Sequence, residues 1–362
     1  MTEAAPVARD SGPQDPPFLT GFGLFVTYRC QVACEHCIVS AGPHRTEQLD
    51  LADAHDWVTQ MSQVAGGRTR VLSLTGGEPF VDIERLRDIG RMADVAGLFV
   101  TAVTNAHWAT SPEIALDTLS SLPEIRAIAV SADVHHQALI PLDRVKNAVR
   151  AAQRLDRIAS ISICTDSETS PTYLEMLEAL RDTVDPEMID TAVTFPVGRA
   201  QLHSGDYNFE ITPEPPLGAC CVSHSPVVFP NGDVIACIGP VITLGREHPL
   251  FLGNLHEERL AEIVERAQSN TALHLLRLWG PSRLVRFLAE AGETCLPEDY
   301  VGGSICHACY ALMANPETVS AIRDVTAAAK VRDAVALGRL VHLNEAEGLL
   351  ALDRQDGAFA DA

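Results

Sequence analysis

The chain is short of positive charge. It has 27 lysine and arginine residues against 48 aspartates and glutamates, so its formal net charge is -21 at pH 7. Nucleic acids and anionic membrane surfaces repel a protein of this charge, and we therefore expect neither as a partner. The acidity itself is typical of soluble proteins and does not identify a substrate.

Long hydrophobic runs are also missing. No apolar run approaches the roughly 20 residues that cross a bilayer. The predicted tail at residues 1–20 has four prolines (Pro6, Pro13, Pro16 and Pro17) but no apolar core flanked by basic residues, which argues against a signal peptide. The sequence thus predicts a cytoplasmic protein. In that reducing compartment its ten cysteines are poor disulfide candidates, and clustered cysteines favour metal or redox chemistry.

What the sequence does contain is enough apolar material for a core, in an alternating pattern. Hydrophobic residues make up 46% of the 362 positions. Short β-rich runs lie at 23–27, 71–75, 99–104, 127–131, 160–165 and 191–196. Helix-compatible segments lie at 83–96, 112–122, 143–155 and 173–184. This alternation predicts an α/β fold with a parallel sheet or barrel.

Polar motifs follow the predicted strands. In strand order they are Cys30, Cys34 and Cys37, then Gly76 to Pro79, Asn105, Ser131 with Asp133, Thr165 with Asp166, and Pro196 to Ala200. Chemistry in barrels and open α/β sheets collects at the carboxyl ends of the strands. We therefore expect these six groups to share one rim.

The cysteines after the first strand have the spacing CxxxCxxC. Three thiolates on a tight loop are able to bind iron or zinc. A closed zinc site takes four ligands, and no fourth cysteine is near. An iron-sulfur cluster held by three cysteines instead leaves one iron open to a substrate or cofactor.

These residues resemble the radical S-adenosylmethionine (SAM) enzymes. Cys30, Cys34, His36 and Cys37 match the family's CxxxCx(aromatic)C motif, and Gly76-Gly77-Glu78-Pro79 matches its GGEP motif. The resemblance implies a partial (β/α)6 barrel, a 4Fe-4S cluster on the three cysteines, and SAM bound to the open iron. Reductive cleavage of SAM would then give a 5′-deoxyadenosyl radical. His36 would lie against the adenine, while Gly76, Gly77 and Glu78 would receive the SAM amino group.

Further site residues follow from the same resemblance. Asn105, Ser131 and Asp133 stand where the family holds the ribose and carboxylate of SAM, although Ser and Asp at strand ends also cap helices. Arg199 either pairs with the SAM carboxylate or substrate, or is a surface arginine after a turn. His135, with His136 beside Asp133, is a candidate for substrate contact or proton transfer.

A second cysteine group lies beyond a proline-rich stretch at 207–217, whose composition predicts a linker before a second module. Asn231-Gly232 predicts a hairpin between Cys220 and Cys237, and a CHAC sequence follows at 306–309. The pattern resembles the twitch and SPASM auxiliary-cluster modules. A single auxiliary 4Fe-4S cluster on Cys221 (or Cys220), Cys237, Cys306 and Cys309 fits best, although the spacing also allows structural zinc.

The predicted organisation has four parts: a flexible tail at 1–20, a radical SAM partial barrel at 21–205, an auxiliary-cluster module at 206–315 and a helical extension at 316–362. Two thiols outside the clusters, Cys164 and Cys295, are candidate hydrogen donors to a substrate radical. A buried free cysteine is also often an inert small hydrophobe.

The favoured function is radical SAM chemistry on a small hydroxyl-rich metabolite of an antibiotic pathway, such as an amino sugar, aminocyclitol or nucleoside sugar. The outcome would be dehydrogenation, epimerisation or decarboxylation, with flavodoxin or ferredoxin as electron donor. One alternative is a maturase of a ribosomally made peptide, but such enzymes often carry an extra amino-terminal domain, and only 29 residues precede Cys30. The other is a non-catalytic metal scaffold, which does not need polar motifs along one rim.

Overall fold

A parallel sheet forms the centre of the protein. The computed structural model describes residues 18–194 and 196–349. Strands β1 (Gly21–Thr27), β2 (Val71–Gly76), β3 (Phe99–Thr104), β4 (Ile125–Ser131), β5 (Ile158–Thr165) and β6 (Ile189–Val193) each pair in parallel with the next. The prediction of an α/β fold with a partial barrel of parallel strands is confirmed. Phe195, in the sixth predicted run, and most of the predicted tail lie outside the described residues.

Helices connect the strands. They are α1 (Leu51–Gln63), α2 (Ile83–Val95), α3 (Pro112–Ser120), α4 (Val134–Gln137), α5 (Leu142–Arg154) and α6 (Pro171–Leu180). Side-chain caps define several starts, because Asp50, Asp82, Ser111 and Ser170 each accept a hydrogen bond from an amide of the first turn. Helices α1 and α4 are absent from the sequence prediction.

The sheet continues past the predicted domain boundary. The later strands are β7 (Ile211–Thr212), β8 (Val227–Val228), β9 (Asp233–Ile235), β10 (Phe251–Asn254) and β11 (Tyr300–Val301). The order of the main sheet is β10-β9-β8-β1-β2-β3-β4-β5-β6, while β7 and β11 form a separate pair. Strand β7 therefore lies inside the stretch predicted as a linker, and the second module shares the barrel's sheet.

The barrel is joined to the segment that carries the second cysteine group by the pairing of β8 with β1. A Cβ atom at Gly23 would lie 2.9 Å from Cγ2 of Val227, so glycine lets the two strands approach. The predicted hairpin joins β8 to β9, and Gly232 has a φ of +83° in its turn. This pairing attaches the second cysteine group to the barrel.

Helices make up most of the remaining chain. They are α7 (Leu260–Gln268), α8 (Thr271–Glu290), α9 (Ile305–Ala314), α10 (Pro316–Ala327) and α11 (Ala329–Leu343). Helix α8 is kinked at Gly280, which has a φ of +73° and precedes Pro281. None of the helices in the described part combines the length and apolarity needed to cross a membrane.

A buried ion triad ties the last helices to the start of the chain's described part. Glu345 is 3% exposed and accepts hydrogen bonds from Arg277 at 2.7 and 3.0 Å and from Arg339 at 2.9 Å. Its Oε1 also accepts from the amide of Phe18 at 2.7 Å. Three charges with these partners are stable in the interior only as a complete set.

We expect Glu345→Ala to lower the free energy of unfolding by about 3–5 kcal/mol, because two arginines would be left buried without a counter-ion. The control is Glu290→Ala, which removes the exposed ion pair of Glu290 with Arg286 (2.9 Å) and should cost less than about 1 kcal/mol. Urea unfolding of both variants measures the difference. A Glu345→Ala protein as stable as its control would contradict the role given to the triad.

Candidate active site

The loop carrying Cys30, Cys34 and Cys37 is held by backbone hydrogen bonds on one side. The amide of Gly77 donates to the carbonyl of Thr27 at 2.6 Å, and the amide of Glu78 donates to that of Arg29 at 3.0 Å. A Cβ atom at Gly77 would lie 2.5 Å from the carbonyl oxygen of Arg29. The glycine pair of the GGEP motif therefore lets the loop after β2 pack directly against the start of the cysteine loop.

The segment after β6 holds the same loop on its other side. The Arg199 guanidinium donates to the carbonyls of Cys34 at 2.6 Å and Ala41 at 2.5 Å, and the Arg199 amide donates to that of Cys37 at 3.0 Å. Next to it, Gly198 has a φ of +58° and packs on Ile38. Arg199 is thus a positioning residue for the cysteine loop rather than a free surface arginine.

The three thiols are spaced more widely than the ligands of a single ion. Across residues 18–194 and 196–349, His36, Asp133 and Cys164 form the one set of three Cys, His or acidic ligand atoms within 4.8 Å of each other. Sulfurs bound to one zinc ion lie roughly 3.8 Å apart. Cys30, Cys34 and Cys37 do not form such a set, and three cysteine sulfurs on one loop are donors of the kind that hold an iron-sulfur cluster.

Hydrogen-bond donors and burial surround these sulfurs. The amide of Ala41 donates to Sγ of Cys37 at 3.3 Å, and Nδ2 of Asn105 donates to Sγ of Cys30 at 3.6 Å. Donors of this kind accompany iron-sulfur ligands. Burial raises the pKa of Cys30 to about 11 and that of Cys34 to about 12, so a metal must displace both protons when it binds.

Glu78 is completely buried behind the loop. Its Oε1 accepts from Oγ1 of Thr104 at 2.9 Å and from the amide of Phe80 at 3.0 Å, and its Oε2 accepts from the amide of Asn105 at 2.7 Å. Burial raises the pKa of Glu78 to about 7. The carboxylate therefore joins the ends of β2 and β3, and its contact with SAM stays a prediction.

A group of imidazoles surrounds Asp133. Its Oδ1 caps α4 through the amides of His135 and His136, and its Oδ2 lies 2.8 Å from Nδ1 of His136 and 3.8 Å from Nε2 of His36. Burial opposes the charged carboxylate, but the charge and hydrogen bond of His136 outweigh it and hold the pKa of Asp133 below its usual range. Asp133 thus acts as a helix cap and as the anchor of the histidines.

The ring of His36 contacts the rings of both histidines of α4. It lies parallel to the His135 ring at a centroid distance of 4.7 Å and edge-on to the His136 ring at 4.9 Å. Burial lowers the pKa of His36 to about 4, so its ring is neutral at pH 7. A neutral, stacked ring has the character that an adenine neighbour requires.

A cavity of about 130 Å³ opens beside these rings. Its lining includes Asp133, His135, Cys164, Tyr173 and Tyr207. The Cys164 sulfur lies within 4.8 Å of ligand atoms of both His36 and Asp133. Burial, and then the Asp133 carboxylate, raise the pKa of Cys164 above its usual range, which keeps the thiol protonated.

The positions of Ser131 and Cys295 say less about their roles in the site. Ser131 is half-buried at the end of β4, in register with Ser162. Its contact with SAM stays a prediction. Cys295 packs against the core beside α10, where its carbonyl accepts from Oγ1 of Thr318 at 2.5 Å. Of the two candidate donors, only Cys164 lines the cavity of about 130 Å³.

The second cysteine group comes together around Cys237. Burial and then the neighbouring thiolate of Cys220 raise the pKa of Cys237, and the thiols of Cys306 and Cys309 share Cys220 as a neighbour. Cys221 is exposed and adds only to the shift of Cys306. These interactions bring Cys220 into the group, and the choice between Cys220 and Cys221 as a cluster ligand stays a prediction.

Sequence reasoning missed several residues of the site. Tyr207 lies against the ring of His135 at 5.4 Å, and Nε2 of Gln31 donates to Oδ1 of Asn105 at 2.8 Å. Gln31 sits directly after Cys30, so its position was a usable signal. Tyr207 carries none, because the predicted linker contained it.

Comparisons with a family model, a named relative and two solved structures show what this chain is similar to. Residues 24–197 match the family model of the radical SAM superfamily. The protein YydG of Bacillus subtilis (strain 168), whose name refers to peptide biosynthesis, is 23% identical over 302 residues, which are 81% of this chain and 91% of YydG. Among solved structures, BtrN in complex with AdoMet and 2-DOIA is 11% identical with a TM-score of 0.34, over 75% of this chain and 91% of BtrN. HydG, a maturase of the FeFe-hydrogenase, is 12% identical with a TM-score of 0.38, over 87% and 79%.

We expect Gly77→Ala to lower the free energy of unfolding by roughly 1–3 kcal/mol, because the new methyl group would overlap the backbone of Arg29. Iron bound after anaerobic reconstitution should fall with it, since the loop holding the cysteines must shift. Gly90→Ala on α2 is the control, because its nearest neighbour is 3.5 Å away and alanine favours helix. Unchanged iron content and stability in Gly77→Ala would show that the loop does not depend on this contact.

Proposed function

The chain carries a radical SAM domain and is an enzyme of that superfamily, and we propose that it abstracts hydrogen from a ribosomally made peptide. The observation that carries the chemistry is the cysteine loop, fixed beside the GGEP motif at the carboxyl rim of the sheet. The peptide substrate is supported by the likeness to YydG, which extends over most of both chains.

Cys30, Cys34 and Cys37 would hold the 4Fe-4S cluster, a role that suits three cysteines on one loop, of which Cys30 and Cys34 are buried and Cys37 is partly exposed. When bound, the cluster and SAM supply a 5′-deoxyadenosyl radical. Gly76, Gly77 and Glu78 would receive the SAM amino group. Asn105, Ser131 and Asp133 would hold its ribose and carboxylate. This assignment relies on their position at the rim of the sheet.

His36 would present its ring face to the adenine. The stack with His135 and the contact with Asp133 fix the orientation of that ring before any ligand arrives. Arg199 contributes indirectly, because its guanidinium fixes the loop on which His36 stands. His135 and Tyr207 line the cavity and would contact the substrate. A buried, preformed site of this kind excludes water from reactive species.

Cys164 is the donor that we propose for a substrate radical. Its thiol stays protonated because of burial and of Asp133, so it has a hydrogen atom to give. Transfer of that atom to a substrate carbon radical would form a C–H bond and leave a thiyl radical. One electron and one proton, from a reductant such as flavodoxin or ferredoxin, would restore the thiol. The net result would be epimerisation; without this donor, loss of an electron from the substrate would give oxidation.

An auxiliary 4Fe-4S cluster on Cys220, Cys237, Cys306 and Cys309 would carry that electron. The four thiols are mutual neighbours, and the amide of Gly239 donates to Sγ of Cys237 at 3.4 Å. They too fail the spacing condition for a single ion within the described residues. This module and its cluster remain part of the proposal.

A peptide replaces the small hydroxyl-rich metabolite that the sequence favours. The argument for a metabolite relied on the short stretch before Cys30, and the extended likeness to YydG outweighs it. A role in antibiotic biosynthesis is compatible with either substrate. Deuterium transfer distinguishes the two.

The test begins with anaerobically reconstituted protein and dithionite. We expect about eight irons per chain for two clusters and formation of 5′-deoxyadenosine from SAM. Deuterium should move into 5′-deoxyadenosine from a deuterated peptide encoded beside the gene. Transfer only from a deuterated aminocyclitol or amino sugar would restore the metabolite hypothesis. Absence of SAM cleavage would refute the enzyme reading.

We expect Cys164→Ala to keep SAM cleavage and hydrogen abstraction but to reduce product formation per 5′-deoxyadenosine by about tenfold or more. The reason is that abstraction does not use the thiol, whereas hydrogen return does. Cys295→Ala is the control and should leave this ratio unchanged. Mass spectrometry of the peptide in deuterated water measures it. Equal ratios in Cys164→Ala and wild type would exclude the donor role.

We expect Cys220→Ala to lose about four irons per chain, whereas Cys221→Ala should retain the wild-type content. The support for Cys220 is that it contributes to the pKa shifts of all three remaining thiols. Iron analysis and the visible absorbance of the cluster measure the loss of iron. The opposite result would return Cys221 to the ligand set.

A further inference from the structure

One edge of the main sheet is open next to the cavity. Strand β6 ends the sheet, with β5 on one side, and among the described residues no strand pairs with its other side. The amide of Thr194 donates inward to the carbonyl of Thr165 at 2.7 Å. Because backbone direction alternates along a strand, the amides and carbonyls of Thr191 and Val193 point outward.

This edge is close to the candidate chemistry. Ala192 is in register with Cys164, and Val193 is in register with Thr165, which also lines the cavity. A chain added outside β6 would run roughly 10 Å from β5, or two strand spacings. A long side chain of such a chain would extend over β6 in the direction of the cavity beside Cys164.

The neighbourhood of the edge is strongly acidic. Residues 166–214 contain eleven acidic residues, two arginines and no lysine. Arg199 donates to loop carbonyls, and Arg181 pairs with Glu178 at 3.1 Å, so neither neutralises the edge. Asp190 on β6 itself is exposed, as are Asp185 and Glu187 just before it. Charge complementarity therefore selects a cationic occupant.

The same charge argues against a second copy of this chain as the occupant. Two β6 edges in contact would bring acidic side chains together, and charged residues on edge strands are a known device against self-pairing. Asp190 discourages that pairing but favours a basic strand.

We propose that the outer edge of β6 binds an extended, basic segment of the peptide substrate as an added strand. The inference rests on the proposed function in assuming a peptide substrate. Main-chain hydrogen bonds to Thr191 and Val193 give the register, and acidic side chains such as Asp190 give the preference for lysine and arginine. The added strand would run alongside β6, one strand further out than the strand that carries Cys164.

Binding is tested on the full-length protein without turnover, so that its outcome is independent of SAM cleavage. The probe is a fluorescein-labelled octapeptide of alternating lysine and valine, followed by fluorescence anisotropy. The matching glutamate-valine octapeptide tests charge. A lysine-valine octapeptide methylated on every backbone amide tests strand addition, because it keeps its charge and loses the main-chain donors on both edges.

We expect the lysine-valine probe to bind at least about fivefold more tightly than either comparison peptide at low ionic strength, with affinity falling as salt rises. Asp190→Lys should weaken that binding by about fivefold or more, because it reverses the charge on the strand. Asp117→Lys, an equal change on the exposed face of α3, is the control and should leave binding unchanged. Val193→Pro, which removes an outward amide, should weaken binding in the same way.

Several results would overturn the proposal. Equal binding of the methylated probe would exclude strand addition, and equal binding of the glutamate-valine probe would exclude the charge preference. No binding of any probe at millimolar concentration would exclude the site. A dimer in sedimentation experiments that Val193→Pro dissolves would assign the edge to a second copy. Binding at β6 without SAM cleavage would instead refute the proposed function and leave this site intact.

Discussion

The hydrogen bonds that hold the cysteine loop are the constraint on which the rest of the site depends. The loop follows β1, and it is held by Gly77 and Glu78 after β2 and by Arg199 after β6. The first, second and sixth strands of the barrel therefore meet at one backbone loop. Because a loop of buried carbonyls needs partners, folding the sheet and forming the site are the same event.

Sheet continuity imposes a second constraint. Strand β8 pairs with β1, and Cys237 comes two residues after β9 in the same sheet. The second cysteine group is thus attached to the barrel through main-chain hydrogen bonds rather than through a flexible linker. A rigid connection of this kind holds two sulfur-rich sites at a constant separation, which electron transfer between them would require.

The electrostatics of the rim divide the site into two environments. Inside, burial keeps Cys164 protonated and His36 neutral, while Asp133 stays charged only because His136 compensates its burial. Outside, the strand edge beside the cavity carries exposed acids such as Asp190. A dry interior suits radical chemistry, and an acidic, hydrogen-bonding edge suits recognition of an extended chain with basic side chains.

The sequence by itself determined the parallel strands, the rim shared by their polar ends, and the two cysteine groups. Strand periodicity and motif spacing are local properties, so they are visible in the sequence before the fold is known. Tertiary structure alone decided the position of Arg199 on the loop carbonyls, because backbone acceptors have no signature in side-chain identity. It also brought Cys220 into electrostatic contact with Cys237, Cys306 and Cys309, since adjacent residues such as Cys220 and Cys221 differ only in which way the folded chain turns them. Helix α1 was not predicted, despite its Asp50 cap. The outer edge of β6 is defined by the absence of a pairing strand among the described residues, and no single segment of the sequence encodes that property.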